Sequence, residues 1–271
     1  RLRETDSMMI GQGPLILGST GRVGRALGQV WDGPAVWQHR PERAAVAAPS
    51  VSWDILNTPA PALPAVSGIV MLAGATGGAG LAQTTPLALA ACDLGDMLGV
   101  PVLIASSQAV YGPVVGPVTE ATPCNPANDY GRAKRAMEAA VAGRATCLRI
   151  GNVVGCDALW GNAATGAVTL PQMDDGPRRS WITPQTLKRV ISGLLAHDGP
   201  LPDVVNTASP GPVDMAALMV AADVTVNWRA ATPDDLPALD LDVSRLCDLV
   251  PLPPADPVTI IAQARAAGWG A

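Results

Sequence analysis

Short apolar runs alternate with helix-period stretches along most of this chain. Leu15-Ile16-Leu17 is continuous and apolar, and after it Val23, Ala26, Leu27 and Val30 recur at the spacing of one helix face. Ala35-Val36-Trp37-Gln38 reads as a second strand and Val51-Ser52-Trp53 as a third. Gly68-Ile69-Val70-Met71-Leu72-Ala73 is a buried strand, stopped by a glycine-rich turn that runs through Gly80. Pro86 to Leu98 predicts a helix, and Val102-Leu103-Ile104-Ala105 the strand after it. Asn128 or Asp129 can cap a helix reaching about Ala142. Thr146–Ile150 is a further strand, Thr183–Ala196 a helix, and Val204-Val205-Asn206 a last sheet strand. Continuous apolar strands separated by helices predict an α/β fold with a parallel, doubly wound sheet. From about Asn206 onward proline and aspartate thicken, and Met215–Ala222 and Pro257–Ala267 read as short helices of a small C-terminal lobe.

The first turn carries chemistry as well as structure. Gly18-Ser19-Thr20-Gly21-Arg22-Val23-Gly24 joins the first strand directly to the first helix. In that setting Gly18 permits a tight turn, Gly21 lets backbone approach a pyrophosphate, and Gly24 lets helix rest on strand. A helix N-terminus adds free N–H groups and partial positive charge. The expected organisation is therefore a Rossmann-type NAD(P)-binding domain over residues 14–170. Residues 171–271 supply the last sheet elements and a small substrate-binding lobe.

Composition narrows the field. With 271 residues, 48% apolar and 15% charged, the chain has the profile of a globular domain with a substantial core. Phenylalanine is absent, so seven tryptophans supply nearly all the aromatic bulk. A net charge of -5 argues against nucleic acid as the main partner. No apolar run reaches the ~20 residues that span a bilayer, and residues 1–13 lack the apolar core of a signal peptide. The five cysteines form no C-x-x-C pair and are odd in number, which suits a reducing, cytoplasmic compartment. His39 and His197 are the only histidines and no ligands cluster, so no metal site is expected. Neither histidine sits in a setting that suggests a Ser-His-Asp hydrolase.

One of only two tyrosines and one of only two lysines lie four residues apart, at Tyr130 and Lys134. On a helix they share a face. A phenol titrates near 10, and a nearby ammonium favours the phenolate, so the pair suits a general acid/base for carbonyl or alcohol chemistry. A third cluster, Ser106-Ser107-Gln108-Ala109-Val110-Tyr111-Gly112, follows a strand at the carboxyl edge of the sheet, where such folds bind ligands.

In this order, the three clusters resemble the extended short-chain dehydrogenase/reductase family, which includes NAD-dependent epimerases and dehydratases that modify nucleotide sugars. The resemblance continues through Asp54-Ile55, Leu72-Ala73, Thr119-Glu120, Pro126 and Leu148 to Gly155. It implies that Tyr130 is the acid/base, that Lys134 lowers its pKa and bonds the nicotinamide ribose, and that Ser107 holds the substrate oxygen. Gly18, Thr20, Gly21, Arg22, Val23, Gly24 and Ala73 would line the cofactor, with Asp54 and Ile55 receiving the adenine and Asn152 lying near substrate. A homodimer through helices 86–98 and 130–142 is also implied. Asp54 and Asn152 suit turns equally well. Tyr111 reads as core, and Glu138 as an i,i+4 partner of Lys134.

Departures from the family pattern refine the expectation. The sugar-nucleotide dehydratases carry an Asp-Glu pair directly after the active-site hydroxyl, and here Gln108 and Ala109 stand there, which disfavours dehydration. At the end of the second strand, Gln38-His39-Arg40-Pro41-Glu42 decides the cofactor. Arg40, together with Arg22, favours NADP, and Glu42 is the rival for NAD. The expected activity is NAD(P)-dependent oxidoreduction or epimerisation at a carbonyl or hydroxyl carbon of a nucleotide-sugar-like small molecule. The alternatives are a reductase of small non-sugar carbonyls and a non-catalytic NAD(P) sensor.

Overall fold

The computed structural model describes residues 12–114, 116–174, 176–233, 235–236 and 238–269. Most of the signal-peptide expectation, at residues 1–11, lies outside them. Seven strands form the central sheet: β1 (Leu15–Leu17), β2 (Val36–His39), β3 (Ser50–Ser52), β4 (Ile69–Met71), β5 (Val102–Ser107), β6 (Thr146–Ile150) and β7 (Val204–Thr207). Their spatial order is β7-β6-β5-β4-β1-β2-β3, and every neighbouring pair is parallel. The order reverses between β1 and β4, the switch point of a doubly wound sheet, so the expected fold class holds.

Alternation along the strands assigns the two faces. Ile16, Val70, Leu103, Leu148 and Val205 point to one side. There they meet Leu27 of α1 (Arg22–Val30) and Leu187, Val190, Ile191 and Leu194 of α4 (Pro184–Leu195). Leu15, Leu17, Ile69, Met71, Val102, Ile104 and Cys147 point to the other. They meet Ala88, Ala91, Cys92 and Leu94 of α2 (Thr84–Leu98) and Met137 of α3 (Asp129–Ala140). Burial on both faces explains why these strands read as unbroken apolar runs.

Helix ends follow local chemistry. Asn128 caps α3 by accepting from the Gly131 N–H at 2.8 Å. Thr183 caps α4 by accepting from the Thr186 N–H, with Pro184 in the first turn. Gly99, at φ +66°, ends α2 in the left-handed conformation.

The lobe is assembled from several returns of the chain. Ala167–Gln172 runs across the expected boundary at residue 170 and pairs in parallel with Thr225–Ala230. Two-residue strands at Arg178–Arg179 and Val213–Asp214 pair with each other, and the former also with Ala238–Leu241. Helices Met215–Ala221 and Pro257–Ala266 bury Leu218, Met219, Ile260 and Ile261 in a third apolar cluster. Its bulk comes from Trp160, which meets Trp181 and Trp269 edge to face at 5.8 and 4.8 Å. Tryptophan thus does the work that phenylalanine would otherwise do. Among the described residues, no helix is long and apolar enough to cross a membrane.

Candidate active site

A groove runs along the carboxyl edge of the sheet. Cavities of about 630 and 440 Å³ share Gly21, Leu72, Gly74 and Ala75 in their walls. The groove therefore crosses the switch point between β1 and β4.

The glycine turn forms its floor. Gly18 sits at φ +82°, and a Cβ there would lie 2.4 Å from the Ala73 nitrogen. Its N–H donates to the Gln38 side chain at 2.8 Å, and the Gln38 amide donates onward to the Trp53 carbonyl. A buried, neutral glutamine at the end of β2 thus braces the turn in place of an acid. Gly24 lets α1 press on the turn, since a Cβ would stand 2.4 Å from the Ser19 oxygen. Gly21 differs: a Cβ would meet only the Gly18 oxygen, at 3.4 Å. It lies on the groove surface at the N-terminus of α1, which has neither a side-chain cap nor an acid in its first turn. An uncapped helix end beside open backbone fits a pyrophosphate.

The larger cavity brings together Gly21, Arg22, Val23, Gly24, Ser107, Tyr130, Lys134 and Asn152, all expected site residues. The smaller one brings together Gly18, Thr20, Arg40, Asp54, Ile55 and Ala73. Arg22 belongs to the first and Arg40 to the second, so Arg22 does not join Arg40. Arg43 does, three residues beyond Arg40. Glu42 pairs with Arg40 at 3.0 Å, with both side chains more than half exposed. The Asp54 carboxylate accepts from the Leu56 and Asn57 N–H groups and from the Asn57 side chain, which together with Arg40 hold it below the usual carboxylate range. Its oxygens build their own turn.

Tyr130 and Lys134 enter the cavity from the face of α3 that lies on β5. Lys134 is buried, and its Nζ donates to the Ala105 carbonyl at 2.6 Å. Burial brings its ammonium down to about 8, against the opposing influence of Cys147 and Glu138. Its Nζ lies 5.9 Å from the centre of the Tyr130 ring. The expectation that Lys134 lowers the Tyr130 pKa is not met in this state. Burial raises the phenol above the ordinary tyrosine range, and the influences pulling it down are the Ser107 hydroxyl and the charge of Arg22. The lysine donates one hydrogen bond to the strand backbone.

A chain of polar side chains also lines this cavity, and of its members Asp157 carried no signal in the sequence. The Gln108 amide donates to the Asn152 oxygen at 2.7 Å, and the Asn152 amide donates to Asp157 at 2.9 Å. Asp157 also caps the helix Ala158–Ala163, and burial raises its pKa. The acceptor role of Asp157 orients both amides. It leaves the Gln108 Oε1 buried and without a protein partner, although the residue itself lines the cavity.

Glu138 departs from expectation. Rather than forming an i,i+4 pair with Lys134, it is buried against Arg149 at 2.8 Å and accepts from the Ser106 hydroxyl at 2.6 Å. Arg149 continues to the Tyr111 hydroxyl at 3.0 Å, and Tyr111 donates to Asn206 at 2.6 Å. Tyr111 is fully buried, as its reading as core anticipates.

Residues 15–168 match the model of the NAD dependent epimerase/dehydratase family, and the chain belongs to that family. Its Rossmann-type fold is shared with solved structures at low identity. UDP-glucose 4-epimerase from Brucella ovis in complex with NAD is 19% identical with a TM-score of 0.72, over 96% of this chain and 98% of that one. RMD from Pseudomonas aeruginosa complexed with NADPH is 18% identical at 0.73, over 96% and 100%. A putative epimerase from Burkholderia cenocepacia J2315 is 18% identical at 0.74, over 94% and 98%. No curated protein matches.

Proposed function

We propose that this chain is an NAD(P)-dependent oxidoreductase or epimerase acting on a hydroxyl or carbonyl carbon of a nucleotide-sugar-like substrate, with Tyr130 as its acid/base. The observation that carries the reading is the placement of Ser107, Tyr130 and Lys134 on a cavity continuous with an uncapped, glycine-lined helix N-terminus. Structures of the same fold hold UDP-glucose or UDP-glucuronic acid together with NAD, which supports the substrate class.

Gly21 and the first turn of α1 would hold the pyrophosphate, Lys134 the nicotinamide ribose, and Asp54 and Ile55 the adenine. Arg40 and Arg43 would receive a 2′-phosphate, which favours NADP over NAD. A bound nicotinamide supplies hydride exchange with the substrate carbon. The protein's own part is the proton. Tyr130 gives or takes it at the substrate oxygen while Ser107 orients that oxygen. Gln108 has no titratable group to contribute a proton. With an amide at this position, water elimination lacks its acid, so exchange or inversion at carbon is the favoured outcome.

Incubation with UDP-glucose, UDP-glucuronic acid and UDP-N-acetylglucosamine, each with NAD or NADP, tests this by product analysis. Turnover should appear in the wild type and vanish in Tyr130→Phe, with cofactor affinity nearly intact. Full activity in Tyr130→Phe would sink the mechanism.

A further inference from the structure

Three consecutive residues of β5 meet the three side chains that successive turns of α3 present to the sheet. The Ala105 carbonyl receives the Lys134 ammonium, and the Ser106 hydroxyl donates to Glu138. Ser107 stands beside the Tyr130 phenol. Tyr130, Lys134 and Glu138 follow at i, i+4 and i+8, one stripe of the helix. The central contact is the strongest. Glu138 is buried, and it accepts from Ser106 at 2.6 Å and from Arg149 Nε and Nη2 at 3.0 and 2.8 Å. Arg149 is anchored in turn on β6 by the Tyr111 hydroxyl and the Glu120 carbonyl.

We propose that Glu138, clamped by Arg149 and Ser106, is a positioning residue that holds Lys134 and Tyr130 in register with Ser107. This rests on the reading of Tyr130 and Lys134 as the working pair. A helix lying on a sheet can slide by fractions of an ångström, and effective acid/base transfer does not tolerate that. A fork-shaped, charge-assisted contact at the next residue of the strand fixes both the distance and the rotation.

The charged and titratable groups around Lys134 are few. Glu138 is on its own helix, Cys147 faces it from β6, and Tyr130 is one turn back. Burial pushes the Cys147 thiol up to about 12, so it carries no charge at neutral pH. Glu138, held on Arg149 and Ser106, is one turn beyond Lys134 and the carboxylate whose charge favours its ammonium. Its own other neighbour, Arg135, is half exposed and 3.8 Å away.

The chain contains two lysines, Lys134 and Lys188. Lysine-labelled protein therefore gives a two-signal NMR titration, assigned with Lys188→Arg. In Glu138→Gln the Lys134 titration should move down. Ser106→Ala should move it the same way by less, and Glu138→Asp should restore part of it. Glu138→Gln leaves Arg149 buried and unpaired, which can prevent folding. The double variant Glu138→Met/Arg149→Met removes both charges together, and it should fold yet keep the lowered Lys134 titration. A purely structural Glu138 predicts lower melting temperatures with an unmoved lysine titration in every folded variant, and that result would overturn the proposal. Neither cofactor nor substrate enters the measurement. A wild type that binds no nicotinamide nucleotide would remove the proposed function while leaving the clamp to stand or fall on its own titration.

Discussion

Alanine at Gly21 and at Gly24 should have opposite consequences, although the two glycines are three residues apart in one turn. At Gly24 the added Cβ would lie 2.4 Å from the Ser19 oxygen and 2.7 Å from the Ser19 carbonyl carbon and Cα. All three are backbone atoms and cannot swing aside. Overpacking of this kind costs about 1–3 kcal/mol, and the better helix propensity of alanine returns up to about 1. A net loss of about 1–2 kcal/mol corresponds to a fall in melting temperature of roughly 2–8 °C for a domain of this size. At Gly21 the backbone is at φ −70°, open to any residue, and the nearest atom is 3.4 Å away. The melting temperature should stay within about 1 °C of the wild type, because nothing is displaced. The methyl instead occupies the surface where a pyrophosphate would approach the backbone. NADPH affinity should drop at least about tenfold, equivalent to roughly 1.4 kcal/mol. Thermal melting by circular dichroism and NADPH titration by energy transfer from tryptophan read the two effects separately. Wild-type NADPH affinity in Gly21→Ala would refute the assignment of the groove to the cofactor. Undiminished stability in Gly24→Ala would refute the packing argument.

Arg40→Ala should weaken NADPH by roughly 10- to 100-fold, the loss of one charge-assisted hydrogen bond, and leave NADH unchanged by calorimetry; an equal loss for both cofactors would remove the discriminator. Lys134 is held near 8 in the folded chain against 10.5 ordinarily, so below about pH 8 the folded state bears the full burden of a buried ammonium. Between pH 8 and 10.5 the unfolded chain binds the proton and the folded chain does not, so stability rises with pH across that window. Lys134→Met should therefore be more stable than the wild type at pH 7, on the order of 2 kcal/mol after the lost bond to Ala105, with the advantage shrinking toward pH 10 in urea unfolding. A pH-independent difference would contradict the burial argument. Light scattering should give a dimer mass if α2 and α3 form the expected interface, whose exposed end carries Met97 and Leu98; a monomer mass disposes of that interface.

The elements legible in the sequence were those with a period. Leu15 to Val30 announces strand, turn and helix, because the strand is buried on both faces and the helix on one. The Tyr130/Lys134 stripe is legible for the same reason, since helical spacing alone puts both on one face. Other features depend on pairings remote in sequence. Gln38 bonds Gly18 twenty residues back, and Gln108 reaches Asn152 forty-four residues on. Glu138 read as an i,i+4 partner of Lys134 because that spacing is visible in sequence, whereas the arginine that claims it arrives on β6. Arg43 could have been found from its spacing to Arg40, both in the loop after β2. In the lobe the helices Met215–Ala221 and Pro257–Ala266 were legible, but its strands were not. Strands of two residues, such as Arg178–Arg179 and Val213–Asp214, are too short to show alternation.

The most direct test of the central claim, that this groove holds a nicotinamide dinucleotide against Tyr130, is a titration of the protein with NADPH and with NADH. Energy transfer from tryptophan to the reduced ring reports binding, in the wild type and in Gly21→Ala. Binding should be saturable, tighter for NADPH than for NADH and weakened by the methyl group. Binding of neither nucleotide would contradict that claim.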